Sequence, residues 1–147
     1  MELKKNIFDM KVNFFHLLPA RNYGGAENAA LTNNSFENDN IIFKTYFIEK
    51  DFPEEKNKYF FKIILNYFKS FLFLKNHKKV VIISSLWKSS ILALFLKLFK
   101  RDLKLILFLH SSRNSHFIDN IFTSLSFLFS DELWVDSSKT LEIRIKK

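Results

Sequence analysis

Four short polar stretches hold the residues of this chain best suited to chemistry: Gly24-Gly25, Ser84-Ser85, His110-Ser111-Ser112-Arg113 and Asp136-Ser137-Ser138. His110 leaves an apolar run directly for a polar loop. That position suits an imidazole that hydrogen-bonds a ligand or positions a reacting group, with satisfaction by backbone carbonyls as the plainer alternative. Arg113 offers a planar cation to a phosphate or carboxylate. Gly24 and Gly25 are the only glycines, where average usage in a chain of this length gives about ten. Two residues without Cβ just ahead of a helix let the backbone approach a ligand closely, and the free N–H groups of the helix start favour an anion. A tight turn is the competing explanation. Trp87 and Trp134 sit where an indole could stack on a sugar ring, or belong to the core. Of the other histidines, His16 lies inside an apolar run, His77 stands beside Lys78 and Lys79, and His116 opens a helical pattern.

Several chemistries are excluded by what is missing from the sequence. There is no Cys, hence no disulfide framework, thiolate metal site or thiol nucleophile, and a reducing compartment fits. The dinucleotide fingerprint GxGxxG is absent, and so is the Gly-Lys-Ser/Thr of a phosphate-cradling loop. No GxSxG elbow marks a serine hydrolase. The histidines lack i, i+4 spacing and no carboxylate lies among His110 to His116, so neither a metal nor another cofactor is expected.

The elements that must position these residues follow from periodicity. Lys11 to Leu18 reads as a buried strand ending at Pro19, followed by a loop, the glycine pair and a helix over Ala26 to Thr32. Asn33 to Asn40 reads as the turn before a strand at Ile41 to Ile48. From Pro53 to Leu74, Glu55, Lys58, Lys62, Asn66 and Lys69 recur at steps of three and four, a helix with a narrow polar stripe. Its other faces hold more Phe, Ile and Leu than one packing surface requires. It therefore reads as a helix covering a sheet, with a membrane-interface helix as the alternative. Val80 to Ser84 is a short central strand, Leu86 to Lys100 a helix, Leu103 to Leu109 a strand and Asn120 to Phe129 a helix. Glu132 to Val135 is a last short strand, and Ser138 caps a final helix start. Strands alternating with helices predict an α/β fold, a Rossmann-like parallel sheet with helices on both faces, in a single domain. In such sheets ligands bind beyond the carboxyl ends of the strands, where all four polar stretches fall.

The 147 residues include 19 Phe, are 48% apolar and carry a formal charge of +8. This composition is globular rather than disordered. Met1 to Asp9 has no apolar core of the secretory kind, and the longest apolar runs, such as Ile91 to Leu96, are far too short to span a bilayer. The positive charge admits an anionic membrane surface, phosphorylated substrates or nucleic acid as partners. Joint over-use of Lys, Asn, Phe and Ile is also what drift in coding composition produces. Nucleic acid is not expected, because no RNP-like motif or zinc-finger spacing is present and Lys is spread along the whole chain.

The run Pro19-Ala20-Arg21-Asn22-Tyr23-Gly24-Gly25-Ala26-Glu27 resembles the start of family 4 glycosyltransferases of the GT-B fold, where a Gly-Gly-hydrophobic/Ala-Glu turn leads into the first helix. Ile83 to Ser89, Leu107 to Arg113 and Asp131 to Ser138 are similar to the amino-terminal domain of the same family in the same order, although many members carry a histidine where this chain has Ser84-Ser85. The resemblance implies transfer of a sugar from a nucleotide-sugar donor to a lipid-linked or polysaccharide acceptor, at the cytoplasmic face of a membrane. It implies that residues 1–147 are a truncated acceptor-side domain without the carboxyl-terminal nucleotide-sugar domain, inactive alone and completed in a relative or by a separate chain. On this resemblance His110 contacts the transferred sugar, and Gly24 and Gly25 lie near the donor phosphates. Trp87 and Arg113 are added from position as substrate contacts. The competing expectations are a non-catalytic sugar- or partner-binding module with the same fold, and an unrelated doubly wound nucleotide-binding protein.

Overall fold

The computed structural model describes residues 11–20, 25–32, 35–49, 56–110 and 116–145. Six strands form one sheet: β1 (Val12–Ala20), β2 (Ser35–Glu37), β3 (Ile41–Glu49), β4 (Val80–Ser85), β5 (Lys104–Leu109) and β6 (Glu132–Val135). Five helices connect or follow them: α1 (Gly25–Thr32), α2 (Lys56–Lys75), α3 (Trp87–Phe99), α4 (Phe117–Phe129) and α5 (Ser138–Ile145). The sheet order is β2-β3-β1-β4-β5-β6. All neighbours run parallel except β2, which pairs antiparallel with β3.

Two expectations are corrected here. The sheet is mixed rather than wholly parallel, because Ser35-Phe36-Glu37 forms an edge strand where a turn was expected. Asn38 supplies the reason: its Oδ1 accepts from the backbone N–H of Asn40 at 2.9 Å and of Ile41 at 2.8 Å, closing a tight hairpin around one asparagine. Strand β1 also continues through Pro19 to Ala20. Its pairing with β4 stops at Leu17↔Ser84, while its pairing with β3 runs on to Ala20↔Glu49. Pro19 thus sits where β1 has become locally an edge, and a missing N–H is tolerated there.

The strand order dictates which face each helix covers. Passing from β1 to β3 moves one way across the sheet, while β3 to β4, β4 to β5 and β5 to β6 all move the other way. Right-handed crossovers then place α1 on one face and α2, α3 and α4 on the opposite one. Alternation along the strands agrees. Phe15, Leu17, Ile82 and Leu105 point to the α2/α3 side, where they pack with Leu74, Leu92, Ala93 and Leu96 in the main core. Phe14, Val81, Ile83, Ile106 and Phe108 point to the α1 side in a smaller cluster. Thr45, on this second face, donates its hydroxyl to the Ala30 carbonyl of α1 at 2.9 Å and ties that helix down.

At the opposite end of the sheet, Asp131 joins three elements. Its carboxylate takes Lys97 Nζ from α3 at 2.6 Å and accepts from the Leu105 N–H of β5 at 2.7 Å, just ahead of β6. Such a pairing sets the stagger of β5, β6 and α3 with charge-assisted hydrogen bonds.

Candidate functional site

Strand alternation sends the side chains of His16 in β1 and Ser85 at the end of β4 to the α1 face, and that of His110, just past β5, follows the same parity. They meet in a line. Ser85 Oγ lies 2.7 Å from His16 Nε2 and 3.2 Å from His110 Nε2. Ser85 is fully buried and His16 nearly so. A serine hydroxyl has one proton, so with both bonds made it donates to one ring and accepts an N–H from the other. The two imidazoles are thereby held with opposite Nε2 roles.

Burial also fixes their charge. It drives the pKa of His16 from 6.5 down to about 4, and the neighbouring His110 adds to the effect. His110 is lowered by burial too, against the opposing pull of the Asp136 and Glu27 carboxylates. Both rings are neutral near pH 7. A neutral imidazole is no fixed cation for a phosphate, but it can donate or accept a hydrogen bond to a hydroxyl or take a proton as base. Phe108 wedges the pair from below, with ring centroids 4.0 Å from His110 and 6.1 Å from His16.

Helix α1 begins beside this group. Glu27, in its first turn, is buried and near enough to act electrostatically on His110, and a carboxylate there complements the positive helix start. Gly25 opens the helix, and among the described residues a Cβ added to it would meet nothing within 4 Å. Packing by the described residues therefore does not demand a glycine at that position, and they leave the space beside its backbone open. Gly24 and Arg113 lie outside the described residues.

The turn from β4 into α3 is strained. Leu86 has φ 72° and ψ 147°, a conformation that costs a non-glycine residue about 1 to 3 kcal/mol. Three serines hold it. Ser89 donates to the carbonyls of Ser85 and Leu86, and Ser90 donates to that of Leu86, while Ser84 Oγ lies 3.2 and 3.1 Å from the two hydroxyls. Ser84 faces the α3 side of the sheet and Ser85 the α1 side. The strained turn thus fixes where β4 ends and holds Ser85 between the two histidines.

Trp87 stands in the first turn of α3, in the helical layer opposite α1. Its ring packs edge-on to His116 at 5.0 Å and stacks on Phe122 at 6.4 Å, at the junction of α3 with α4. The structure does not bring it to the His110 group by any of these contacts. Trp134 does lie on the α1 face, edge-on to Phe108 at 6.3 Å. It closes one end of an open apolar groove of about 370 Å³, lined also by Phe14, Phe36, Ile41, Phe43 and Ile83. That groove shares its sheet face with His16 and His110. Among the described residues no group of three or more His, Asp or Glu side chains is arranged to hold a metal ion.

His16 and Glu27 were not singled out by their sequence neighbourhoods. Strand parity was the available signal for His16: it places residues 14, 16 and 18 of β1 on one face, and so opposes His16 to one of the two serines. The contacts themselves span 69 and 25 residues, beyond any local pattern. The described residues form an α/β fold with a six-stranded, mostly parallel mixed sheet, compatible with a Rossmann-like arrangement, and a His-Ser-His group at the carboxyl rim of that sheet. Comparison with protein-family models, curated proteins and solved structures finds no match to this chain.

Proposed function

We propose that this chain is the acceptor-side domain of a glycosyltransferase, in which His110 hydrogen-bonds a hydroxyl of the sugar being transferred. The observation that carries the reading is the neutral His110 ring, held through Ser85 by the buried His16 beside the start of α1. A neutral ring suits an uncharged hydroxyl. Held by a second ring that stays neutral, it keeps one hydrogen-bonding role over the physiological pH range. Gly25 supports the same reading, because its open backbone stands where an electronegative group could approach the helix start. His16 and Ser85 are positioning residues for His110, not contacts to the sugar.

Sugar transfer needs donor and acceptor fixed against one another, and a single wall of a cleft does not supply that alignment. The 147-residue polypeptide on its own is therefore expected to bind sugar without transferring it, and to gain activity with a nucleotide-sugar-binding domain added. Saturation-transfer NMR with a panel of uridine- and guanosine-diphosphate sugars tests the first half. Sugar-proton signals that weaken about tenfold in His110→Ala, the loss of roughly one hydrogen bond to a ligand, support the reading. Absence of any sugar signal, or signals indifferent to His110→Ala, overturns it. Sugar transfer by the purified chain alone would overturn the division of labour between domains. If added nucleotide-sugar-binding domains bind the chain yet restore no transfer, the non-catalytic binding module is the better description.

A further inference from the structure

Helix α2 packs against the sheet with one side and presents a second apolar row to solvent. Inward, Leu74 and Ser70 are buried and Tyr67 and Phe71 lean on the core. Outward, Ile64, Leu65, Phe68 and Leu72 follow one another at helical spacing, with Phe68 56% exposed. The row does not stop at α2. Phe71 meets Phe99 of α3 edge-on at 5.5 Å, and α3 continues outward with Phe95 and Leu98, the latter 69% exposed. Helix α4, packed beside α3, adds Phe117, Ile121 and Leu128. Monomeric soluble domains rarely expose so continuous an apolar layer without a use for it.

The charges bordering the layer say what covers it. Among its described side chains helix α2 carries Lys62, Lys69 and Lys75, and its sequence holds no Asp or Glu. Lys62 and Lys69 lie seven residues apart along one flank of the outward row, both exposed. Lys75 lies 5.6 Å above Phe71 and 5.7 Å above Phe99, and Lys78 and Lys79 follow the helix, exposed. Interfaces between proteins are depleted in Lys. Helices lying in the headgroup region of a bilayer combine Phe and Leu with flanking Lys that reach anionic headgroups. We infer that the α2–α3–α4 layer is a membrane-docking surface that seats on anionic lipid, with Phe68, Leu72, Phe95 and Leu98 entering the acyl boundary and Lys62 and Lys69 on the headgroups. No helix among the described residues is long and apolar enough to cross a membrane, so the contact is with one leaflet. This surface lies on the sheet face opposite His110. The inference does not depend on the sugar-transfer reading, and its test contains no sugar.

Flotation of the full chain with vesicles of phosphatidylcholine, with and without phosphatidylglycerol, tests it. The chain should float with the anionic vesicles and much less with the neutral ones. Lys62→Glu/Lys69→Glu should weaken binding by about tenfold or more, since each basic residue near an anionic surface adds to the attraction and each reversal turns it into repulsion. Phe68→Ser/Leu98→Ser should lose flotation while keeping the wild-type circular dichroism, because both side chains are exposed; Phe36→Ser, on the other sheet face, should float like wild type. Failure of the wild type to float overturns the inference. So does flotation unchanged by both double variants. A dimer that Phe68→Ser/Leu98→Ser converts to monomer, with no vesicle binding, would assign the layer to a second copy of this chain and overturn it equally. If the serine variant does not fold, the charge-reversal variant still decides.

Discussion

The two faces of the sheet put their apolar side chains to different ends. On one, Phe15, Leu17, Ile82 and Leu105 disappear beneath α2 and α3. On the other, Val81, Ile83 and Ile106 are buried, but Phe14, Phe43 and Phe108 are only partly covered and the groove closed by Trp134 stays open. Ser84 and Ser85 show the contrast in adjacent residues. Both are fully buried, yet Ser84 joins serines that brace a strained turn and Ser85 joins two histidines. A single step along a strand separates the serines of the turn from the histidine pair, because alternate side chains leave on opposite faces.

The largest effect expected from breaking this contrast lies on the covered face. Leu105→Ala should lower the unfolding free energy by about 3 to 4 kcal/mol in a urea titration, the cost of a cavity at a site with no room to collapse. The exposed-face Phe36→Ala should change it by less than about 0.5 kcal/mol. Equal losses would mean that the two faces are packed alike.

Acid should act next most strongly, through the other face. His16 has its pKa lowered by burial to about 4, below the 6.5 it has when unfolded, so below pH 6.5 the unfolded chain binds more protons than the folded one. The stability from keeping His16 neutral is complete above pH 6.5 and is lost as the pH falls towards 4, on the order of 3 kcal/mol in all. His110, lowered in the same direction, adds to the loss. His16→Gln should remove most of that slope from denaturation curves measured across the window. A slope unchanged by the substitution would place the titrating group elsewhere.

Smaller differences sharpen the comparison of the two serines. Ser85→Ala should shift the His110 titration seen by NMR and cost about 1 to 2 kcal/mol, since it leaves ring nitrogens without their partner. Ser84→Ala should cost about 1 kcal/mol and leave the histidine titrations in place. The smallest expected change is a gain: Leu86→Gly should stabilise by about 1 kcal/mol by releasing the positive-φ strain. A loss of stability there would show that the packing of the Leu86 side chain and the greater freedom of glycine in the unfolded chain outweigh the backbone strain.

Much of the scaffold was legible because it repeats locally. Glu132 to Val135 emerges as β6 with the boundaries read from its sequence, while β4 runs one residue further, to Ser85, and β5 starts one residue later, at Lys104. The short edge strand β2 was hidden in an Asn-rich stretch, since a three-residue strand beside a side-chain-closed turn has no period to detect. Helix α4 begins at Phe117, three residues before its apolar pattern becomes regular, because His116 caps it by accepting the Asp119 N–H at 3.1 Å. The α2 helix shows the limit differently. Its sequence revealed too many apolar faces, and only the packing of Leu74 inward and Phe68 outward assigned them.

The sequence by itself determined the alternation of strands and helices, the rim on which polar residues collect, and, having no Cys, the exclusion of thiol chemistry. These follow from periods of 2 and 3.6 and from residue type. Only the tertiary structure decided that His110 is joined to His16 through Ser85, that Trp87 packs between helices, and that the lysine-flanked side of α2 faces out. Each of these is a meeting of residues from different elements. The sheet order and handed crossovers bring them together, and no local periodicity carries that information.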